Sequence, residues 1–489
     1  MAAATANRTD DALVGAAPSS PAGPAEPDDV TALRPPPAIT LPQLVQVLRF
    51  NQRQIQFVFR ARRELGEVFR MRGIVSGSPV ITSHPDHVRS LFTAKPPLMP
   101  SLTEESPLRP IVGGNSVLTA QGERHMRQRK LLLPAFHGDA IERYVAMISE
   151  VTDREIDRWP VGRQFPLAPR MQAITLDVIM AGIFGIEGRP RFGSLEFGLR
   201  TATQQVLRAS TLPMAQVAEL LNIGSTEPRG MTRVGLEFLD RPTYALIAKR
   251  RRAGDLSERG DILSLLLRTR TEEGEALTDQ ELRDELLTLV LAGHETTANS
   301  LAWTWERLVR TPEAHERLVA AVRDDDHAAE HVEATITEGM RARPVIPMIG
   351  RRPTVPWRLG AYAVPADTPI TMSVLLLHHR EDLYPQPFAF RPERWLGRKP
   401  PDDAGANRSG DAGRRAVRKP ATYEWIPFGG GTRRCLGGAL AMAEQRVVLE
   451  AMVRRLDLEA PDPEPERALH RNVTMIPAKG ARVVVRARR

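Results

Sequence analysis

Cysteine is almost absent from this chain, since Cys435 is the only one among 489 residues. A single cysteine excludes an internal disulfide and any metal site built from several cysteines. Long apolar runs are missing too, and none approaches the ~18 residues that a membrane-spanning helix needs. The two absences predict a protein of the reducing cytoplasm without a membrane span.

Signatures of nucleic-acid binding are also missing. The chain has no zinc-binding pattern and no segment that interleaves basic and aromatic residues, so we predict no nucleic-acid partner. The formal net charge is nevertheless +8. Two interpretations of that excess stay open, namely an ordinary solvated basic surface and a docking face for an acidic protein.

The pattern along the chain is mostly helical. Residues 1–40 are rich in Ala and Pro and predict a disordered tail, and residues 41–489 predict a single domain. Helical patterns dominate 121–343, whereas strand-like stretches occur at 73–83, 354–374 and 482–487. The predicted fold class is therefore mainly α with a small β portion.

The stretch FGGGTRRCLGG (428–438) surrounds the lone cysteine with glycine and arginine. A helical pattern follows from about Gly437, so the cysteine lies near a helix N-terminus, where N–H groups and the helix dipole favour a thiolate. Glycines let the backbone approach a flat ligand closely. A thiolate on such a platform suits haem iron. The alternative is a buried structural cysteine beside a turn.

The spacing F-x-x-G-x-R-x-C-x-G is carried by Phe428, Gly431, Arg433, Cys435 and Gly437. It resembles the haem-binding loop of the cytochrome P450 haem-thiolate monooxygenases. The resemblance implies haem b with Cys435 as the axial iron ligand. It also implies that Phe428 shields the sulfur and that Arg433 pairs with a haem propionate.

A long helix is predicted over the middle of the chain. Thr278 and Glu281 form a capping box at its start, and Pro312 ends it. Its centre, AGHETT (292–297), places glycine, threonine and an acid among apolar turns, which is typical of a functional site or a kink.

This centre resembles the pattern A-G-x-[DE]-T-T of the family's long central helix, which crosses the haem. By that resemblance Glu295 and Thr296 are the catalytic acid and alcohol that supply protons for oxygen activation. Ala292 and Gly293 leave room for O2. His294 is interpreted as a structural neighbour.

Two further motifs carry the resemblance. TEGMRARP holds Glu338 and Arg341 on one helix face, and the family adds a third residue, here Arg394 of FRPERW, to form a structural triad. Trp395 stands where phenylalanine is more usual.

GERHMRQRK holds His125 and Arg129 four residues apart, and the family uses this pair for haem propionates. Either Arg351 or Arg352 is a further propionate partner, and counting back from GAYAVP favours Arg352.

The resemblance implies insertion of one oxygen atom from O2 into a hydrophobic small molecule such as a fatty acid, terpenoid or sterol-like compound. Its pocket is expected from residues 95–118, 200–225, 289–297 and 345–349. No dinucleotide-binding motif or fused flavin segment is evident, so we expect an external ferredoxin or flavodoxin with its reductase. Basic side chains that could dock such a partner are Arg124, Arg127, Lys130 and Arg434.

Three alternatives remain. A peroxygenase or isomerase would keep the fold, but such enzymes often lack the acid and alcohol. A cysteine hydrolase would pair Cys435 with a base such as His378. A non-catalytic haem binder would show no O2-dependent turnover.

Overall fold

The structure is a computed structural model that describes residues 21–25, 33–72, 78–106, 108–136, 138–209, 222, 225–270, 274–325, 327–397, 421–471 and 473–489. Parts of two segments that carry sequence-based predictions lie outside these residues. They are the first half of the strand-like stretch 73–83 and most of 210–225, a segment expected to contribute to the pocket.

Helices form most of the described chain. They are α1 (Gln43–Leu65), α2 (Pro85–Thr93), α3 (Arg109–Val112), α4 (Gly122–Leu132), α5 (Asp139–Ile156), α6 (Ala168–Phe184), α7 (Leu195–Ala209), α8 (Met231–Arg251), α9 (Ile262–Arg268), α10 (Asp279–Leu308), α11 (Pro312–Asp324), α12 (Ala328–Ala342), α13 (Val374–Leu377) and α14 (Gly438–Arg455). Short 3-10 turns occupy Leu102–Glu105, Leu133–Phe136, Pro392–Trp395 and Gly431–Arg433.

The strands are short and form small sheets. They are β1 (Ala22–Pro24), β2 (Val68–Arg70), β3 (Val80–Thr82), β4 (Gln164–Pro166), β5 (Met348–Arg351), β6 (Trp357–Leu359), β7 (Tyr362–Val364), β8 (Ile370–Ser373), β9 (Leu456–Glu459), β10 (Ala468–Arg471), β11 (Thr474–Pro477) and β12 (Arg482–Arg488). Their orders are β1-β6-β7, β2-β3-β8-β5, β4-β12-β9 and the hairpin β10-β11. The predicted class, mainly α with a small β portion, is confirmed.

Part of the predicted tail is ordered. Strand β1 pairs antiparallel with β6, and Ala38 forms a bridge to Arg70. The prediction of disorder over residues 1–40 is therefore wrong for 21–25 and 33–40. Prolines break helical and apolar runs in the sequence, but they do not prevent an edge strand from pairing with one neighbour.

Helix α10 is the central element. Its predicted capping box is present, because Glu281 N donates to Thr278 Oγ1 at 3.2 Å and Thr278 N donates to the Glu281 carboxylate at 2.9 Å. Thirty residues make the helix about 45 Å long. Its second half is buried on every side, and Ala298, Leu301 and Trp305 enter a core shared with α5, α6, α11, α12 and α14.

None of the helices in the described residues is both long and apolar enough to cross a membrane.

Candidate functional site

The cysteine loop lies between Ile426 and the start of α14, and its own backbone shapes it. Gly429 N donates to Ile426 O at 3.0 Å, and Cys435 N donates to Phe428 O at 2.9 Å. Gly429 and Gly431 have φ angles of 69° and 65°, which side-chain-bearing residues rarely adopt. A Cβ on Gly431 would overlap the carbonyl oxygen of Phe92. The loop therefore needs glycine at this position for two independent reasons.

The Cys435 thiol is free and its side chain is exposed on one side. Desolvation of the sulfur by the surrounding protein atoms raises its pKa, whereas the Gly437 amide, Arg129 and Arg434 act in the opposite direction. The sequence predicted a lowered pKa. That direction is wrong for the protein alone, because desolvation outweighs the favourable charges and the amide.

Phe428 stacks edge-on against Trp425, with ring centroids 6.2 Å apart. It also contacts the first turn of α14, since a Cβ on Gly438 would lie 3.5 Å from its ring. The aromatic ring thus joins the cysteine loop to the helix that follows it.

Basic residue types converge on a cavity of about 330 Å³ beside the loop. His125, Arg351 and Arg433 line it together with apolar residues such as Phe92 and Met99. Burial, followed by repulsion from the neighbouring arginines, lowers the pKa of His125 to about 4. Burial and the same kind of repulsion lower the pKa values of Arg351 and Arg433 to about 10 each.

The structure places Arg351 on the cavity, and not Arg352, which the sequence favoured as the propionate partner. Arg351 is 6% exposed, lies over the Phe92 ring at 5.4 Å and faces the cavity. Arg352 turns the other way and pairs with Glu105 at 2.7 Å. Successive side chains of an extended segment point to opposite faces, so adjacent arginines have different surroundings.

Arg129 reaches the cysteine loop directly. Its guanidinium donates to the backbone oxygen of Arg434 at 2.7 Å. The two residues predicted to bind propionates from α4 therefore have different surroundings. His125 lines the cavity, whereas Arg129 contacts the backbone of the cysteine loop. Arg433 in turn donates to the carbonyls of Leu118 and Ala120 and to the Gln121 side chain.

The residues present fit the haem that the resemblance implies. Among the described residues, no carboxylate forms an ion pair with His125, Arg129, Arg351 or Arg433. A buried arginine without an acidic partner, such as Arg351, is costly unless an anionic group joins it. Haem carries two carboxylates and an iron that accepts a thiolate, so it matches both the cations and Cys435.

The centre of α10 is shaped by close packing. A Cβ on Gly293 would lie 3.0 Å from Cδ1 of Ile179, so the glycine lets α6 approach. Thr296 Oγ1 donates to Ala292 O at 2.7 Å within the helix. Ala292 itself is exposed, in a helix whose later turns are fully enclosed.

Glu295 and His294 leave the helix in different directions. The Glu295 carboxylate accepts from Arg471 of β10, with its Nε at 3.1 Å. His294 is buried, and this burial lowers its pKa to about 4. His294 is thus a neutral core residue, in line with its predicted structural role.

The sequence predicted no role for Arg471. No local pattern could have pointed to it, because 176 residues separate it from Glu295.

The predicted triad is assembled. Glu338 binds Arg341 through two contacts of 2.8 Å and Arg394 at 3.2 Å, and both members of the first pair are fully buried. Trp395 Nε1 donates to Glu338 at 3.0 Å. The departure from phenylalanine therefore adds a hydrogen bond that phenylalanine could not make.

His378 is unavailable as a base for a cysteine hydrolase. It is fully buried, and its Nε2 accepts a hydrogen bond from Ile426 N at 2.9 Å. Burial lowers its pKa to about 3. The histidine supports the start of the cysteine loop instead.

Known proteins resemble this chain over most of its length. The model of the family described as Cytochrome P450 matches residues 34–485. A Mycobacterium tuberculosis protein named "Putative cytochrome P450 135B1" is 34% identical over 460 residues, covering 93% of this chain and 92% of that protein. Another from the same species, "Putative cytochrome P450 137", is 34% identical over 440 residues, covering 88% and 86%.

Solved structures share the fold. "Retinoic acid bound cyanobacterial CYP120A1" has a TM-score of 0.74 and 20% identity, covering 94% of this chain and 100% of that chain. "Crystal structure of a Cytochrome P450 (CYP102L1)" has a TM-score of 0.73 and 21% identity, covering 94% and 99%.

Proposed function

This chain belongs to the cytochrome P450 family of haem-dependent monooxygenases, and on that premise we propose that it inserts one oxygen atom from O2 into a hydrophobic small molecule. The observation that carries the proposal is that the lone cysteine lies on the same loop as Arg433, beside a cavity that Arg433, Arg351 and His125 line without an acidic partner among the described residues. Family membership alone supports the general reaction, and the residues below give it a specific site.

We assign Cys435 as the thiolate ligand of haem b. His125, Arg351 and Arg433 would hold the haem carboxylates, and Arg129 would fix the loop through the Arg434 carbonyl. Gly431 and Gly437 would let the loop backbone approach the haem, and Phe428 would shield the sulfur. When bound, a thiolate-ligated haem supplies the oxygen chemistry, and thiolate donation favours O–O cleavage.

Glu295 and Thr296 of α10 would deliver the protons that oxygen activation requires. A hydroxyl that can hold water beside a carboxylate is suited to delivering protons one at a time. Ala292 is exposed one turn before Thr296 and leaves open space there, whereas Gly293 is packed against Ile179. One apolar cluster contacts both α10, through Leu289 and Leu291, and the region of the cysteine, through Leu436 and Leu440. The proposed acid and alcohol and the cysteine loop therefore adjoin the same part of the core.

Electrons would come from a separate protein, a ferredoxin or flavodoxin with its reductase. Arg124, Lys130 and Arg434 are exposed on α4 and the cysteine loop, beside the partly exposed Met126. Arg127 is bound to Glu281 at 2.9 Å and contributes less. A basic rim around a small apolar contact suits an acidic electron carrier.

A fatty acid, terpenoid or sterol-like substrate fits the aliphatic side chains of α10 and the segment 345–349. The lone cysteine fits a cytoplasmic location, where thiols stay reduced.

The test is the absorption spectrum of purified protein after dithionite reduction and exposure to carbon monoxide. Wild type is expected to show a strongly red-shifted Soret band. Cys435→Ala should lose it, and Cys435→His, which offers a nitrogen ligand, should retain haem with an unshifted band. A red-shifted band in Cys435→Ala would overturn the assignment, and absence of haem from the wild type would overturn the function.

A further inference from the structure

The carboxylate of Glu295 is held by a residue from the far end of the chain. Arg471 donates to the same carboxylate oxygen through both Nε, at 3.1 Å, and Nη2. Thr474 Oγ1 lies 3.4 Å from this oxygen, and Asn299 Nδ2 of the next helical turn lies 3.5 Å away. The acid at the centre of α10 therefore points to the hairpin β10–β11.

The hairpin is itself anchored, so Arg471 is presented from a fixed support. Arg471 pairs with Thr474 at the closed end of the hairpin. Trp303 Nε1 of α10 donates to Met475 O at 2.9 Å, and Met475 N donates to Val345 O at 2.7 Å. The first bond holds β11 against α10 two turns beyond Glu295, and the second holds β11 against the segment after α12.

The ion pair is partly shielded from water. The side chain of Arg471 is 15% exposed and that of Glu295 is 25% exposed. Exposed ion pairs contribute little, but a pair withdrawn from solvent loses a paired charge when either partner is removed. Both contacts from the guanidinium reach the same carboxylate oxygen, so they hold that oxygen at the hairpin.

The neighbouring alcohol is held differently. Thr296 Oγ1 donates to Ala292 O inside α10, whereas the Glu295 carboxylate is bound from outside the helix by Arg471. Two adjacent residues with one proposed task are thus engaged by different elements. The hairpin therefore contributes to where the Glu295 carboxylate lies relative to the Thr296 hydroxyl.

We propose that Arg471 is a positioning residue that holds the Glu295 carboxylate from hairpin β10–β11 and thereby sets the proton supply to Thr296. The inference rests on the proposed function of Glu295. Within the described residues Arg471 touches neither the proposed reacting atoms nor the cysteine loop, so it acts through the acid.

The first experiment measures the pairing itself without turnover. Unfolding midpoints would be compared for holoenzyme carrying Arg471→Gln, Glu295→Gln and both changes. Arg467→Gln is the matched control, because Arg467 is an exposed arginine just before the same strand. If the side chains are coupled, the double variant should melt no lower than the worse single variant. Additive losses would overturn the pairing.

The second experiment measures proton supply. NADPH oxidation would be driven through a surrogate ferredoxin and reductase in air without added substrate, in H2O and in D2O. Arg471→Gln is expected to slow it about tenfold and to raise the solvent isotope effect. This is less than the roughly 10²–10⁴-fold that a positioned acid–base group itself contributes, because Arg471 acts only through the acid. Arg471→Lys should recover part of the rate, and Arg467→Gln should match wild type.

The Glu295→Gln background separates positioning from a merely structural role. In the Glu295→Gln background, Arg471→Gln should change the rate of NADPH oxidation less than twofold, because the carboxylate that Arg471 holds is absent. An equal loss in both backgrounds would overturn the inference. If Glu295→Gln alone leaves rate and isotope effect unchanged, the proposed role of Glu295 fails, while the unfolding cycle still decides whether Arg471 positions that side chain.

Discussion

At the residue scale, neighbouring side chains of one chemical type acquire opposite roles. Arg351 is buried against the cavity with His125 and Arg433, whereas Arg352 is partly exposed and bound to Glu105. Burial makes the difference important, because a charge without an acidic partner in a dry site attracts an anionic ligand strongly. An exposed ion pair contributes only about 0–1 kcal/mol.

Arg351→Leu and Arg352→Leu form a matched pair for this distinction. Arg351→Leu should weaken haem retention about tenfold or more, since a charge-assisted hydrogen bond contributes about 1.5–3 kcal/mol. Arg352→Leu should retain haem as wild type does. Haem transfer from each variant to apomyoglobin would measure both. Equal rates of loss would show that Arg351 holds no carboxylate.

At the element scale, the cysteine loop depends on backbone conformations that few residues allow. Gly431 combines a positive φ with direct contact to the Phe92 carbonyl, which comes from the end of α2. Gly438 begins helix α14 and has ordinary space beside Phe428. Two glycines of the same short stretch are therefore required to very different degrees.

Gly431→Ala should displace the loop, because its φ alone costs about 1–2 kcal/mol and the new methyl group would overlap Phe92. We expect loss of the red-shifted carbon monoxide band. Gly438→Ala should keep the band and gain up to about 1 kcal/mol of helix stability. The reduced carbon monoxide spectrum and the melting temperature check both. An intact band in Gly431→Ala would contradict this account of the loop.

A second element-scale feature joins α10 to the segment 113–119. Glu285 is fully buried and accepts from Val117 N at 2.9 Å, and within the described residues its second oxygen has no hydrogen-bond partner. Burial raises its pKa from 4.5 to about 8. Glu285 is thus a neutral acid that anchors a loop at ordinary pH.

The pH dependence of stability follows from that raised pKa. The folded protein binds a proton that the unfolded chain has lost between about pH 4.5 and 8, so this stabilisation falls as pH rises through the window. Glu285→Gln keeps an acceptor for Val117 and cannot ionise. Urea unfolding at pH 5, 6.5 and 8 should show a flatter profile for the variant. A residual slope is expected from Glu444, whose pKa burial also raises to about 8. Identical profiles would show that Glu285 is already ionised.

At the scale of the whole molecule, the net charge of +8 is the property that partners sense first. Basic side chains on α4 and the cysteine loop, including Arg124 and Arg434, add a local positive face. Long-range attraction of this kind speeds encounter with an acidic protein and weakens as salt screens it.

Reduction by an acidic surrogate ferredoxin should therefore slow as ionic strength rises from 0.05 to 0.5 M, because the Debye length falls from about 14 Å to about 4 Å. Arg124→Glu should reduce both the rate and its salt dependence. Arg49→Glu makes the same change in net charge, but on α1 and not on α4. It should therefore reduce the salt dependence of the rate less than Arg124→Glu does. Stopped-flow reduction under carbon monoxide measures each rate. Equal effects of the two variants would show that only total charge matters.

Local patterns in the sequence determined much of this protein. The glycine-rich cysteine loop, the capping box of α10 and the three-residue spacing of Glu338 and Arg341 all place interacting groups within one or two turns. Such groups meet whenever the local element forms. The family and the fold class could therefore be predicted from the amino-acid sequence alone, and these local patterns also carry most of the proposed site residues.

The tertiary structure decided what depends on distant surroundings. It selected Arg351 over the adjacent Arg352, because the two side chains leave the chain in opposite directions. It reversed the expected pKa shift of Cys435, because desolvation depends on atoms that other segments bring to the sulfur. It brought Arg471 to Glu295 across 176 residues. Burial and long-range contacts arise only when the whole chain folds, and no local spacing encodes them.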